Sequence, residues 1–390
     1  MPEKTICVLG GGIGGVAVAN RLKSALGAAG RVVIIDKNPD HVFAPSLLWI
    51  LSGDRRPEDI KRPLAGLAQK GIEFINAEVK AIKPEESLIL AGDEQIHYDY
   101  LIVALGARAN LAAVEGLADA AINLYSLDGI LKLKERIETF GGGEVVILIP
   151  SMPYKCPAAP YEAAFLLDAA WRRRGLREKA NISVYTFEPL PMPTAGPQVG
   201  QAIKGMLAAR KIDFNPQMTI KSVSADKELV FADGTTKRAD LLVTIPPHKA
   251  PDIVKTAGLT NEAGWIPVDP KTLKTKFDNI FAIGDIATIK LEGKYKPDKP
   301  LMLPKAGVFA HAEAQIVAAN IAADIKGSGT RREFDGHGAC FLELGDGTAG
   351  YSKGDFFALP HPKVSMKGPA RRFRLYKVLF EKWWFFPILI

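Results

Sequence analysis

The stretch Thr5–Leu22, TICVLGGGIGGVAVANRL, constrains this chain more than any other. It reads as strand, tight turn and helix, because an apolar run meets a glycine cluster and then resumes at helical spacing. Gly10, Gly12 and Gly15 fit the spacing G-x-G-x-x-G. In that pattern the first glycine makes the turn, the second lets the backbone approach a pyrophosphate, and the third lets helix and strand pack closely. Free N–H groups and the dipole at the helix start favour the phosphates. A second apolar run, RVVIID, ends in Asp36, about 20 residues beyond the turn, where a carboxylate binds a ribose hydroxyl. A lone glycine motif is weak evidence; this one sits between two strands and is followed by its acid. The chain is expected to be α/β, with a Rossmann-like dinucleotide-binding unit at its start.

Composition narrows the rest. With 390 residues, 47% of them apolar, the chain can bury a large core and divide into two or three domains. The net charge of +7 is mild, and no Lys/Arg-rich block precedes the C-terminal tail, which argues against a nucleic-acid partner. No segment reaches the ~18 apolar residues needed to span a bilayer. No signal peptide is visible ahead of the first strand, so the chain reads as intracellular. Cys7, Cys156 and Cys340 are too few and too scattered for a disulfide framework. No metal site is expected.

Two later segments specify the dinucleotide. YDYLIVALGA (98–107) is a strand ending at a small-residue turn, and NIFAIGDIA (279–287) is a strand followed by Gly-Asp. They resemble the further signatures of the two-dinucleotide-domain flavoproteins, the glutathione-reductase-like fold. The resemblance implies FAD, with Gly284 and Asp285 at the flavin ribityl chain and Gly106 at the crossover out of the FAD domain; Leu105 stands where a Thr is usual. It also implies two Rossmann-like domains, the second inserted in the first. The FAD domain is expected over 1–105 and 265–325, the inserted domain over 106–264, and a C-terminal region over 326–390.

The inserted domain raises a problem at SMPYKCPAAPYE (151–162). GGGEVVILIP supplies a strand and YEAAFLLDAAW a helix, so this corner is where a nicotinamide dinucleotide would need its glycines. Gly141, Gly142 and Gly143 fall before the strand, on the wrong side. Pro153, Pro157 and Pro160 stiffen the corner and carry no N–H to donate. The nicotinamide cradle is expected to be lost, and Cys156 occupies its place. A helix start and Lys155 are both expected to lower that thiol's pKa and so raise its reactivity. The alternative is a small buried core residue. Cys340, at the head of CFLELGDGTAGYSKGDF, carries the same two readings; Cys7, inside the first strand, reads as structural.

Several segments together resemble the sulfide:quinone oxidoreductase family and its sister, the flavoprotein subunit of flavocytochrome c sulfide dehydrogenase. They are HVFAPSLLW (41–49), YKCPAAPYE (154–162), FAIGD (281–285), PKAGVFAHAEA (304–314), GACFLELGDGTAGY (338–351) and RLYKVLFEKWW (374–384). The resemblance implies that Cys156 and Cys340 form a redox pair on one face of the flavin, as a disulfide or a sulfur-bridged pair that hydrosulfide attacks, and that quinone removes the electrons on the other face. It implies cofactor contacts from Lys37, Ala44, Pro45, Val79 and Gly307 besides those named above. Lys305, at the start of a long helix, is expected to stabilise negative charge on reduced flavin; the competing reading is a surface lysine. Glu162 either accepts a proton from hydrosulfide or complements the helix dipole. Lys377 and Phe380, with Phe341 beside Cys340, are implied to line the quinone pocket. No cysteine lies between Ala44 and Cys156, so the FAD is expected to be non-covalent. His311 stands where a carboxylate often follows the PKxGxFA segment, either as a proton relay or as a solvent-facing residue.

The C-terminus argues for lipid. Phe373, Tyr376, Phe380, Trp383, Trp384 and Pro387 fall within about 100° of arc on a helix, with Arg371, Arg372, Arg374 and Lys382 mostly outside it. A tryptophan-bearing stripe flanked by arginines suits a membrane interface, so residues 371–390 are expected to hold the protein on a bilayer as a monotopic tail. An aromatic helix docked on the body or on a dimer partner is the alternative, and homo-oligomerisation is left open. The function expected is FAD-dependent oxidation of sulfide to polysulfide or sulfur, with ubiquinone or menaquinone as acceptor. The alternatives are an NADH:quinone oxidoreductase, a sulfide dehydrogenase subunit serving a cytochrome, or a non-catalytic flavoprotein.

Overall fold

The computed structural model describes residues 3–388; residues 389 and 390 and the side chain of Pro387, part of the expected tail, lie outside the described set. The glycine-turn stretch forms the strand Lys4–Leu9 and the helix Ile13–Leu26. That strand is the centre of a parallel five-stranded sheet. Gly30–Asp36 and Glu73–Asn76 extend it on one side, Tyr100–Val103 and Ile280–Ala282 on the other. The strands are apolar on both faces because helices or loops cover both, as parallel sheets require. Ile6, Cys7, Val8 and Leu9 are all fully buried. Cys7 is therefore a core residue, as its position in the sequence implied.

A second parallel five-stranded sheet repeats the plan. Gly143–Ile149 is central, flanked by Ala180–Thr186 and Asp213–Asn215 on one side and by Leu241–Thr244 and Ile122–Asn123 on the other. The helix Ala159–Arg173 crosses from the central strand to its neighbour and is buried nearly throughout. The cysteine corner is thus a strand-to-helix turn at the carboxyl end of a parallel sheet, where this fold class places its ligands.

The last segment is an antiparallel sheet, His337–Glu343, Ala349–Asp355 and Lys363–Ala370, running into the helix Arg371–Ile388. Cys340 and Leu342 face the core of the second sheet, whereas Trp384 and Phe385 enter the core of the first. The C-terminal region therefore straps the two Rossmann-like units together.

The tail helix has two apolar faces. Phe373, Lys377, Glu381, Trp384 and Phe385 are buried, and Leu375, Tyr376, Leu379, Trp383 and Phe386 are exposed on the opposite side. The aromatic arc drawn from the sequence straddles the boundary between them: Phe373 and Trp384 point in, Tyr376 and Trp383 out. The cause is that Lys377 and Glu381 find partners in the buried Glu162 and the half-buried Arg55. This rotates the docked face by about a quarter turn. Among the described residues no helix is long and apolar enough to cross a membrane.

Candidate active site

The first glycine turn is built as a phosphate cradle. Gly10 has φ +106°, and a Cβ there would collide with the Ala104 carbonyl oxygen; a Cβ on Gly15 would collide with the Gly10 carbonyl oxygen. A Cβ on Gly12 would meet nothing within 4 Å, so this position faces open space. That space is a cleft of about 430 Å³ lined by Gly11, Gly12, Asp36, Asp40 and Lys61 among others. Asp36 Oδ2 accepts the Gly11 N–H at 2.6 Å, fixing the acid at the mouth of the turn. No side chain caps the helix start at Gly12, which leaves its N–H groups to a ligand. These residues fit a dinucleotide. Lys37 is exposed and paired with Glu78, Ala44 is exposed, and Pro45 and Val79 are half-buried. Gly106 follows the strand Tyr100–Val103 with φ +64°, and Gly307 opens the long helix Gly307–Lys326 against Ile13.

The second signature sits over a buried acid. The Gly284 N–H donates to Glu313 Oε2 at 2.6 Å, and burial pushes the Glu313 carboxyl up to about 7. Burial also raises Asp285, against the opposing charges of Lys155 and Lys305. Lys305 is not a surface lysine. Its Nζ donates to the carbonyls of Asp285 (2.7 Å) and Ala287 (3.1 Å) and lies 3.6 Å from the Trp265 ring centroid. Burial pulls its pKa down to about 8.

The cysteine corner docks directly on this segment. The Cys156 N–H donates to the Lys305 carbonyl at 2.6 Å. Cys156 itself has φ +50°, a conformation a side-chain-bearing residue holds only when its surroundings impose it. The Tyr125 hydroxyl donates to the Lys155 carbonyl, with the Cys156 carbonyl 3.1 Å away. At the helix start Ala159 N–H goes to the Cys156 carbonyl, Tyr161 and Glu162 N–H go to the Ala158 carbonyl, and Pro160 has none to give. Here the first-turn donors are spent on the protein itself, in contrast to the open turn at Gly12.

Cys156 and Cys340 are both half-buried free thiols packed against the same core. Burial pushes Cys156 well above the ordinary thiol value, and Cys340 and then Glu162 push it further, with Lys377 opposing. Cys340 is pushed up to about 12, by burial first and Glu162 second. The expectation of a depressed Cys156 pKa is thereby corrected. Lys155 turns to the Tyr125 ring, 5.5 Å from its centroid, and the helix-start N–H groups are already bonded. Desolvation therefore dominates the thiol.

Beside the thiols lies a buried ion cluster. Glu162 Oε1 accepts the Glu343 N–H at 3.0 Å and Lys377 Nζ at 3.2 Å, and Glu162 is 4% exposed. Glu343 Oε1 is 3.7 Å from Lys377 Nζ, and Oε2 is 3.8 Å from Arg374. Burial alone would lower Lys377, but Glu162 and Glu343 hold it above the ordinary lysine value. Glu162 is no solvated dipole complement. It is joined to the tail helix and to the strand that carries Cys340.

Of the residues expected near quinone, Phe380 lies with Trp383, Trp384 and Phe43, and the His311 ring meets Trp383 and Trp384 edge-on at 5.7 and 5.5 Å. Phe341 instead meets Tyr351 at a tilt, with ring centroids 5.4 Å apart, and Tyr351 stacks on Phe373. Lys377, one turn from Phe380, faces the thiols and lies over the Trp49 ring. Residues that the sequence reading missed include Tyr125, Glu188, Glu313, Glu343 and His41. Each is an ordinary residue in an ordinary pattern, and only its partners, far off in the chain, set it apart.

Two Rossmann-like units and an open glycine cradle mark a dinucleotide-dependent oxidoreductase. The chain belongs to the pyridine nucleotide-disulphide oxidoreductase family, whose model matches residues 4–148 and 161–313. The gap between the two matched stretches is the cysteine corner. Among relatives, the mitochondrial sulfide:quinone oxidoreductase of Mus musculus is 26% identical over 91% of this chain and 79% of its own length. The sulfide-quinone reductase of Aquifex aeolicus is 26% identical over 99% of this chain and 91% of its own length. The X-ray structure of the sulfide:quinone oxidoreductase from Aquifex aeolicus superposes with a TM-score of 0.89 at 26% identity, covering 99% of this chain and 91% of that one. The chain is an FAD-dependent oxidoreductase.

Proposed function

We propose that this chain oxidises sulfide and delivers the electrons to a quinone. The observation that carries the reading is the corner, where Cys156 and Cys340 share one buried charge cluster at the place a nicotinamide cradle would open. Gly10, Gly12 and Asp36 would hold the pyrophosphate and ribose of FAD, and Gly284, Asp285, Lys305 and Gly307 the flavin end, without a covalent bond. Bound FAD supplies a two-electron acceptor that quinone can reoxidise.

The chain's own residues handle sulfur and protons. Hydrosulfide attack on a Cys156–Cys340 bridge breaks that S–S bond, makes one cysteine a persulfide and releases the other as a thiolate that keeps the bonding pair. Lys377 is the cation that favours the thiolate form of both cysteines. Glu162 is the candidate acceptor for the hydrosulfide proton: its Oε1 is held by Lys377, while Oε2 takes no hydrogen bond among the described residues. Each further sulfur requires the bridge to be re-formed by a two-electron oxidation, for which bound FAD would be the acceptor and quinone the final oxidant, so that repeated rounds would lengthen the chain to polysulfide. Lys377, Phe380 and Phe341 are the candidate quinone contacts. His311, whose pKa burial and then Arg21 lower, is the candidate proton relay. The exposed face of the tail helix lies on lipid, making this a monotopic membrane protein whose quinone arrives from the bilayer.

Anaerobic titration of the FAD-loaded protein tests the reading. Bleaching of the flavin band by sulfide but not NADH, with recovery on adding quinone, is expected. Bleaching by NADH would instead select an NADH:quinone oxidoreductase, a reading opposed by the spent donors at the corner helix. Recovery with a cytochrome but not quinone would select a sulfide dehydrogenase subunit.

A further inference from the structure

The corner that carries Cys156 is bracketed by two buried tyrosines, and both point at one acid. The Tyr154 hydroxyl donates to Glu188 Oε1 at 2.7 Å, and the Tyr161 hydroxyl to Oε2 at 2.6 Å. Tyr154 lies two residues before Cys156, and Tyr161 immediately before Glu162. Glu188, Tyr154 and Tyr161 are each at most 1% exposed. The acid is fixed from its own side as well. Its N–H donates to Thr186 Oγ1 at 3.1 Å, and its carbonyl accepts the Gln217 N–H at 3.2 Å.

The place of Glu188 in the fold explains how it comes to be there. It follows the strand Ala180–Thr186, the second strand of its Rossmann-like unit, as Asp36 ends the second strand of the first unit. An acid at that point ordinarily reaches for a ribose. In the first unit it stands at an open cleft. In the second, both carboxylate oxygens are taken by tyrosines of the corner and its helix.

We propose that Glu188 is a positioning residue for the sulfur site, acting through Tyr154 and Tyr161 to hold Cys156 and Glu162 in register with Cys340. This rests on Cys156 being redox-active. The left-handed backbone of Cys156 needs restraint from several directions. The Lys305 carbonyl holds it on one side, the Tyr125 hydroxyl lies beside it, and the two-tyrosine clamp holds the chain before and after it.

The clamp has a proton dependence of its own. An ionised Glu188 accepts from both hydroxyls; a protonated one gives up part of that capacity. Burial pushes its pKa up to about 7, and the groups that face it are Tyr161, Tyr154 and Thr186. The corner is therefore held more firmly above that pH than below it.

The test uses FAD-loaded full-length protein with Glu188→Gln, Tyr154→Phe and Tyr161→Phe, each of which keeps the shape of its side chain. Expected are FAD content and quinone KM equal to the parent, sulfide-driven flavin reduction slower by about tenfold to a hundredfold, and Cys156 alkylation about tenfold faster. With the cysteines reduced, the parent's alkylation rate should break, on crossing about pH 7, from the steady climb set by thiol ionisation, and Glu188→Gln should remove that break and leave the steady climb. If Glu188→Gln does not fold, the two phenylalanine variants decide. Folded variants with alkylation and flavin reduction within about twofold of the parent would overturn the clamp. Should Cys156→Ser keep sulfide-driven reduction, the sulfide reading itself fails; the clamp is judged separately, by Cys156 alkylation in the variants that retain it.

Discussion

The indole N–H of Trp384 donates to Nε2 of His41 at 3.1 Å, and the other nitrogen of that ring lies 2.8 Å from the Gly11 carbonyl. Trp is a donor only, so Nε2 is the acceptor and Nδ1 carries the proton that Gly11 receives as a hydrogen bond. Burial holds His41 below the ordinary histidine pKa, in keeping with a neutral ring. The tail helix is thus linked through one imidazole to the glycine turn that lines the dinucleotide cleft. Trp384→Phe keeps an aromatic ring but leaves a buried nitrogen without its donor. A loss of about 1–3 kcal/mol is expected, read as a lower urea midpoint together with faster proteolysis of the tail. An unchanged midpoint would mean that the bond contributes nothing.

The thiols make a second prediction. Their folded-state pKa values are raised, Cys340 to about 12 and Cys156 well above the ordinary value. At pH 7 both resting thiols are therefore protonated, and alkylation should be slow and climb about tenfold per pH unit through pH 9. Labelling kinetics resolved by peptide mass spectrometry would show this; a climb that bends over near pH 9 would instead mean ordinary values, and a plateau from pH 7 depressed ones. Cys156→Ala and Cys340→Ala should each retain FAD and abolish flavin bleaching by sulfide.

Lys377 supports a third. Its removal leaves Glu162 and Glu343 facing one another with Arg374 as the nearest cation. Breaking a buried pair from one side costs about 3–5 kcal/mol, so Lys377→Met should be strongly destabilised and Lys377→Met with Glu162→Gln less so. The pH sign follows from Glu343, whose carboxyl burial already raises. A raised acid contributes its stability below the unfolded value of about 4.3 and loses it as pH rises through the folded value. The single variant should therefore lose stability from about pH 4 upward more steeply than the parent, in urea midpoints measured across pH. A parallel pair of curves would show that Lys377 does not control these carboxyls.

How far the sequence carried depended on the kind of signal. The two parallel sheets were legible because buried strands write continuous apolar runs and a glycine turn has a fixed spacing. The cysteine corner was legible because prolines where glycines belong cannot cradle a phosphate, and the structure adds that the helix-start donors are spent internally. What failed was the environment of single groups. Lys155 beside Cys156 suggested a low thiol pKa, but burial and Glu162 outweigh it. The inward turn of Lys377 and Glu381 is set by partners on distant segments, Glu162 and Arg55, which no local pattern announces. Glu188 carries only the local mark of an acid after a second Rossmann strand, which points to a ribose; its role comes from two hydroxyls that the fold brings to it.

The tail helix yields the last prediction. Leu375, Tyr376, Leu379, Trp383 and Phe386 are 47% exposed or more, on the face opposite Trp384, and Arg371, Arg372 and Lys382 are exposed on the same helix. On the proposed monotopic reading this face meets lipid, with its basic residues at the headgroups, each adding about 1 kcal/mol toward anionic lipid. Deleting the helix is a poor test, because it also removes Lys377 and Trp384 from the interior. Leu379→Glu with Trp383→Glu changes only the outer face. This double variant should keep its FAD and its unfolding midpoint within about 0.5 kcal/mol, yet no longer sediment with vesicles containing anionic lipid. It should still reduce a water-soluble short-chain quinone while losing activity toward quinone dissolved in the vesicles. If it pelleted with lipid as the parent does, the helix would have to be docking against protein, and the route by which quinone enters would need another opening.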